Sequence, residues 1–145
     1  IVCLIDTGEA TTRDLFMRMR ESIELIVGHL DTSIDSIPPS PKSRPIGLQA
    51  RRHFFFAFKD ALNNVQKHAR ATKVRVLFEL TPNHVTFEVV DDGVGFEPEA
   101  AKGIGHGLKN FRRRANRVNG QLKIDSILNK GTTIQFSAPL NQRNL

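Results

Sequence analysis

At Lys73 the apolar residues of this chain stop recurring about every 3.6 positions and begin to alternate, the change that separates helices from half-buried strands. Upstream, Leu15, Phe16, Met19, Ile23, Ile26, Val27 and Leu30 share one helical stripe over residues 13–30, and Thr11 and Asp14 have the spacing of a capping box. After Pro45 and Gly47, a second helix carries Phe54, Phe58, Ala61, Leu62 and Val65 on its apolar side. Between these helices an alternating stretch through Ile34 and Ile37 predicts an edge strand, ended by Pro38-Pro39-Ser40-Pro41. Downstream, Val74, Val76, Phe78 and Leu80 alternate, Thr81-Pro82-Asn83-His84 turns, and Val85, Phe87 and Val89 alternate again, which is a hairpin. Leu108, Phe111, Ala115 and Val118 predict a third helix stopped near Gly120, and a second hairpin turns at Asn129-Lys130-Gly131.

The order α-β-α-β-β-α-β-β predicts an α+β two-layer sandwich, a mixed sheet with helices on one face. Its 145 residues fit one domain. Apolar residues make up 39% and charged residues 25%, and no apolar run approaches the roughly 20 residues that span a bilayer. The single cysteine, Cys3, excludes an internal disulfide and points to a reducing, cytoplasmic setting. The net charge of +6 raises nucleic acid as a partner, but the cations are spread from Arg13 to Arg143, with one dense run at Arg112-Arg113-Arg114 and Arg117. That run is read as a solvated helix face before a phosphate or partner contact. The start at Ile1, without methionine or leader, is expected of a piece of a longer protein.

The polar side of the second helix holds Asp60, Asn63, Asn64, Lys67 and His68. Adjacent asparagines weaken a helix interior and call for a compensating role, and an amide oxygen is a suitable ligand for Mg²⁺ beside phosphates. At the end of the first hairpin stands Asp91-Asp92-Gly93-Val94-Gly95-Phe96, and eight residues after Gly95 the run Gly103-Ile104-Gly105-His106-Gly107 opens a helix whose amide groups can face an anion. Glycines bound the stretch 97–106, which reads as a lid that orders when phosphates engage it. Neither a Gly-Lys-Ser/Thr phosphate loop nor a dinucleotide-type Gly-x-Gly-x-x-Gly follows a strand.

Together and in this order, Asp60-Ala-Leu-Asn-Asn64-Val-Gln-Lys-His68-Ala, Asp91-Asp-Gly93-Val-Gly95-Phe96, Gly105-His-Gly107-Leu-Lys-Asn-Phe-Arg-Arg-Arg114-Ala and Lys130-Gly131-Thr132 resemble the boxes of the GHKL ATPase superfamily, which includes gyrase, Hsp90, MutL and histidine kinases. The short lid and the arginine-rich helix after Gly-His-Gly-Leu are similar to sensor kinases of the nitrate and cell-envelope-stress type. The resemblance covers the chain from about Gly47 to Leu140 and implies a Bergerat-type ATP-binding fold. Residues 1–7 would then be a remnant of a dimerisation region and 8–145 the catalytic domain.

The resemblance implies ATP and Mg²⁺ as ligands, with Asn64 on the metal and Asp91 accepting a hydrogen bond from the adenine amino group. Gly93 and Gly95 would let the backbone approach the base, and Thr132 would close the adenine end. Gly105, His106, Gly107 and Leu108 would line the phosphates, with Lys67 and His68 as further phosphate-side contacts. Asp60 stands where the family usually has the glutamate that serves as general base, one methylene shorter. None of His29, His53, His68, His84 and His106 has the His-Asp/Glu context that the family phosphorylates, so the acceptor is expected upstream of Ile1. The implied partners are that dimerisation domain and a cognate response regulator, with no nucleic acid, a monomeric fragment and a homodimeric parent that could be anchored in the inner membrane. An ATP-binding module without kinase activity, an anti-sigma-factor-like serine kinase and a basic nucleic-acid-binding domain are the other readings.

Overall fold

The computed structural model describes residues 10–96 and 106–140, the side chains of His106, Gly107 and Leu108 excepted. Gly103, Gly105, most of the expected lid and residues 1–6 therefore lie outside the described residues. Helix α1, Thr12–Val27, starts on the Thr11 side chain, which accepts from the backbone N of Asp14 at 3.3 Å. Leu15, Phe16, Met19, Ile23 and Val27 are buried, but the helix stops three residues short of the apolar stripe. Gly28 and Leu30 turn the chain back on Glu24 and Val27, and Asp31 bonds to Thr72 at 3.0 Å, which begins the sheet.

Strand β1, Asp31–Ile37, runs parallel to β2, Lys73–Leu80, at the edge of the sheet. Ile34 is half-buried, whereas Ile37, an odd number of residues away, faces the other side and is exposed. Strands β3, His84–Asp91, β4, Gln121–Ile127, and β5, Gly131–Pro139, complete a mixed sheet of order β1-β2-β3-β5-β4. Helix α2, Leu48–Asn64, continues into a π-helical turn, Val65–Ala69, and ends at Arg70 in the left-handed conformation (φ 51°, ψ 39°). Helix α3, His106–Arg117, buries Phe111 and Ala115, and closes where the N–H of Gly120 donates to the Ala115 carbonyl at 2.8 Å. The expected α+β architecture is thus present, with the helices against the face that buries Val85, Phe87 and Val89.

Phenylalanines lock the helical layer to that face. Phe54 meets Phe87 and Phe136 edge-on at 5.2 and 5.9 Å between ring centroids, Phe58 meets Phe87 at 5.2 Å, and Phe16 stacks on Phe78 at 4.9 Å. Phe87 is the hub, because it also stacks on Phe136 across β3 and β5 at 5.7 Å. Edge-to-face and offset geometries favour the ring quadrupoles, so these contacts orient α2 as well as bury area. Replacing Phe87 by alanine is expected to cost about 3–5 kcal/mol, read as a lower urea midpoint at unchanged slope. A loss below about 1 kcal/mol would show that the aromatic hub is not what holds α2 to the sheet.

Candidate functional site

With Phe54, Phe58, Ala61 and Leu62 turned into the core, the opposite side of α2 has to carry Asp60, Asn63 and Asn64, all half-buried. Among the described residues, neither asparagine side chain has a hydrogen-bond partner, so the Asn64 amide oxygen is available for a ligand. Lys67 and His68 fall in the π-helical turn and are exposed. Such turns disturb the regular ladder and recur at functional sites.

The turn meets the end of β3. The N–H of Val94 donates to the Ala69 carbonyl at 2.6 Å, and a Cβ at Gly93 would run into that same carbonyl oxygen. Gly95 has φ 61°, and a Cβ there would strike the Ile127 carbonyl oxygen. The close backbone approaches that require these glycines are therefore to the protein's own chain, at the end of α2 on one side and the end of β4 on the other.

Asp91 and Asp92 are neighbours with opposite environments. Asp91, on the buried face of β3, is 5% exposed, and its Oδ1 accepts from the backbone N of Gly93 at 2.9 Å. Burial pushes its carboxyl above the usual carboxylate range, against the pull of the Gly93 and Thr132 backbone N–H groups. The charge acting on it is that of Asp92, another anion. Asp92 faces solvent and accepts from the backbone N of Thr72 and of Lys73 at 2.8 and 2.9 Å and from the Thr72 hydroxyl at 2.7 Å. Those bonds hold its pKa down at about 2. Asp92 is thus a brace at the start of β2.

Thr132 is paired with Asp91 across β3 and β5 and is buried. Its hydroxyl lies 2.8 Å from that of Ser126, which also accepts from the backbone N of Phe96 at 2.8 Å. Ser126 was not singled out from the sequence, where it is one polar residue in an alternating strand. Its burial becomes visible only when β4 lies against β5. The alternation β4 shows, with only Ser126 buried, gave no separate signal.

One sequence expectation changes. Arg114 does not belong to a solvated face: its Nε lies 3.2 Å from Asp60 Oδ2, and its guanidinium carbon is 5.2 Å from the centre of the Phe56 ring. Asp60 is therefore ion-paired. The remaining basic residues of α3, Lys109, Arg112, Arg113 and Arg117, are exposed as expected. His53 is half-buried with an unpartnered Nδ1, and burial followed by the charges of Arg114, Arg117, Arg52 and Arg113 lowers its pKa. His29, His68 and His84 are exposed. Gly105 and the side chains of His106, Gly107 and Leu108 lie outside the described residues, but the backbone places His106 and Gly107 at the start of α3.

A sequence model of the histidine kinase-, DNA gyrase B-, and HSP90-like ATPases matches residues 49–142. The chain belongs to this ATPase family. Its relatives include the sensor histidine kinase LiaS of Bacillus subtilis, 32% identical over 88 residues, which cover 61% of this chain and 24% of LiaS. The oxygen sensor histidine kinase NreB of Staphylococcus carnosus is 40% identical over 83 residues, which cover 57% of this chain and 24% of NreB. The chain thus spans about a quarter of the length of these relatives. Solved structures with the same fold include the mycobacterial sensor histidine kinase MprB, at TM-score 0.67 and 17% identity over 91% of this chain and 96% of that one. The catalytic domain of histidine kinase ThkA aligns at TM-score 0.68 and 17% identity over 92% of this chain and 96% of that one. In this ATPase domain no helix of the described residues is long and apolar enough to cross a membrane.

Asp92→Ala is expected to lower stability by about 1 kcal/mol at pH 7, a small value because the group is screened by solvent. The folded pKa, about 2, lies below the ordinary 3.8, so the ionised carboxylate stabilises the fold above pH about 4 and this contribution is lost as the pH falls through about 2. Urea midpoints of the variant and the parent chain should therefore differ at pH 7 and converge as the pH falls below about 4. A gap that widens on acidification would contradict the brace.

Proposed function

We propose that this chain is the ATP-binding catalytic domain of a sensor histidine kinase, which transfers the γ-phosphate of ATP to a histidine on a dimerisation helix of the same parent protein. One observation carries the nucleotide reading: Asp91 is a buried carboxylate at the end of a central strand, and among the described residues no cation pairs with it. A buried charge of that kind is costly unless donors meet it, and an adenine amino group is such a donor. Gly93 and Gly95 form the turn beside it, and Thr132 closes that end.

Asn64 is assigned to Mg²⁺. Among the described residues no group of three His, Cys, Asp or Glu gathers as for an all-protein metal cage. That fits a magnesium site completed by phosphate oxygens and water, with the free amide oxygen of Asn64 as the protein ligand. When bound, the ion neutralises phosphate charge as it develops in transfer. Lys67 and His68, exposed beyond Asn64, and the α3 N-terminus at His106, Gly107 and Leu108, which Gly105 precedes in the sequence, are assigned to the phosphates. In the transfer step one ring nitrogen of the acceptor histidine bonds to the γ-phosphorus as its bond to the β–γ bridging oxygen breaks. ADP leaves with the electron pair, and the proton on the other ring nitrogen goes to Asp60. The upstream dimerisation domain and a response regulator are the partners of this reading, and a cytoplasmic site of action accords with it.

ATP should bind more tightly than GTP, because guanine presents a carbonyl oxygen where Asp91 needs a donor. The discrimination is expected at about 1–3 kcal/mol by calorimetry, and equal affinities would remove the adenine assignment. Asn64→Ala should abolish most of the magnesium dependence of ATP binding while cooperative melting is kept. An unchanged magnesium dependence would take Asn64 off the metal.

A further inference from the structure

His53, Phe56 and Asp60 succeed one another at steps of three and four residues, so they line one face of α2, and Asn64 follows four residues later on the same face. Arg114 is the side chain of α3 laid along that face. It pairs with Asp60 through Nε, covers Phe56 with its guanidinium and bears electrostatically on His53. Its side chain is 20% exposed, whereas its neighbours Arg112 and Arg113 point to solvent. A planar guanidinium held between a carboxylate and an aromatic face is fixed in direction, and lysine could not reproduce both contacts.

The bond engages Oδ2 of Asp60, and among the described residues Oδ1 has no partner. One oxygen is thus anchored while the other is left to take a proton. The anchor also spans two helices: α2 bears Asn64, and α3 begins with His106 and Gly107 of the second glycine box.

We propose that Arg114 is a positioning residue for phosphoryl transfer, holding Asp60 by Oδ2 so that Oδ1 faces the acceptor. This rests on the reading of Asp60 as the base. An aspartate carboxylate is one methylene shorter than glutamate, so its reach depends more strongly on how it is held. The anchor supplies that constraint without touching nucleotide, which places its effect in turnover and not in binding.

The test is a double-mutant cycle on this chain, with the parent's upstream acceptor domain supplied as a separate polypeptide and labelled ATP as the phosphate donor. Arg114→Gln should lower kcat for phosphohistidine formation by about tenfold or more, with the Kd for ATP within about twofold of the parent. Arg114→Lys should recover part of the loss. In an Asp60→Asn background, Arg114→Gln should cause no further decrease, since its effect passes through that carboxylate. Equal losses in both backgrounds, an unchanged kcat, or a fall in kcat matched by a fall in ATP affinity would overturn the proposal. If Arg114→Gln melts at the assay temperature, the cycle is run with Arg114→Lys, and the same non-additivity decides it. Full activity of Asp60→Asn would instead remove the base assignment, and no transfer by the parent chain would remove the functional reading; either takes this proposal with it.

Discussion

The face that α2 turns to the sheet decides what its other face can do. Phe54 and Phe58 are wedged against Phe87 and Phe136, so the helix cannot roll without breaking edge-to-face contacts that are all fully buried. A rotation of one residue, about 100° on a helix of 3.6 residues per turn, would take Asp60 away from Arg114. The apolar packing is thus the foundation of a polar site that contributes little to stability by itself. A phenylalanine ring, without a polar atom, can be buried there without a partner, as Phe54, Phe58, Phe87 and Phe136 are.

On that foundation the first glycine box is built by exclusion of side chains. Gly93 fits against the last carbonyl of the π-helical turn and Gly95 against the end of β4, so the loop after β3 is pinned between two elements remote in sequence. The aspartate pair divides the work. Asp92 uses solvent exposure and three hydrogen bonds to brace β2, while Asp91 is kept in a dry position where a donor is worth most. Ser126 and Thr132, their hydroxyls 2.8 Å apart, join β4 to β5 beside Asp91.

Electrostatics on the α3 side follow the same economy of contacts. The chain carries 21 basic against 15 acidic residues, and α3 alone contributes Lys109, Arg112, Arg113, Arg114 and Arg117. Among the described residues of α3 only Arg114 is drawn inward to an acidic partner, and burial, followed by the charges of Arg114, Arg117, Arg52 and Arg113, lowers the pKa of His53.

The amino-acid sequence by itself determined the element order, the two hairpins and the apolar faces, because each rests on periodicity and on turn residues that act within a few positions of one another. It also determined the family, through boxes whose spacing is written along the chain. The boundary of α1 was a different matter: Leu30 continues the helical stripe, yet the parallel pairing of Asp31 with Lys73 ends the helix, a contact 42 residues away in the chain. Three side-chain assignments were likewise decided only by tertiary structure. The resemblance names Asp91, but only the fold shows Asp92 bound to Thr72 and Lys73; Ser126 gains its role when β4 meets β5; and Arg114 leaves the solvated arginine run because α2 presents Asp60 and Phe56 to it. The physical reason is common to all of them: burial and pairing depend on which surfaces meet across the fold, and no local pattern records a partner that is 54 residues away.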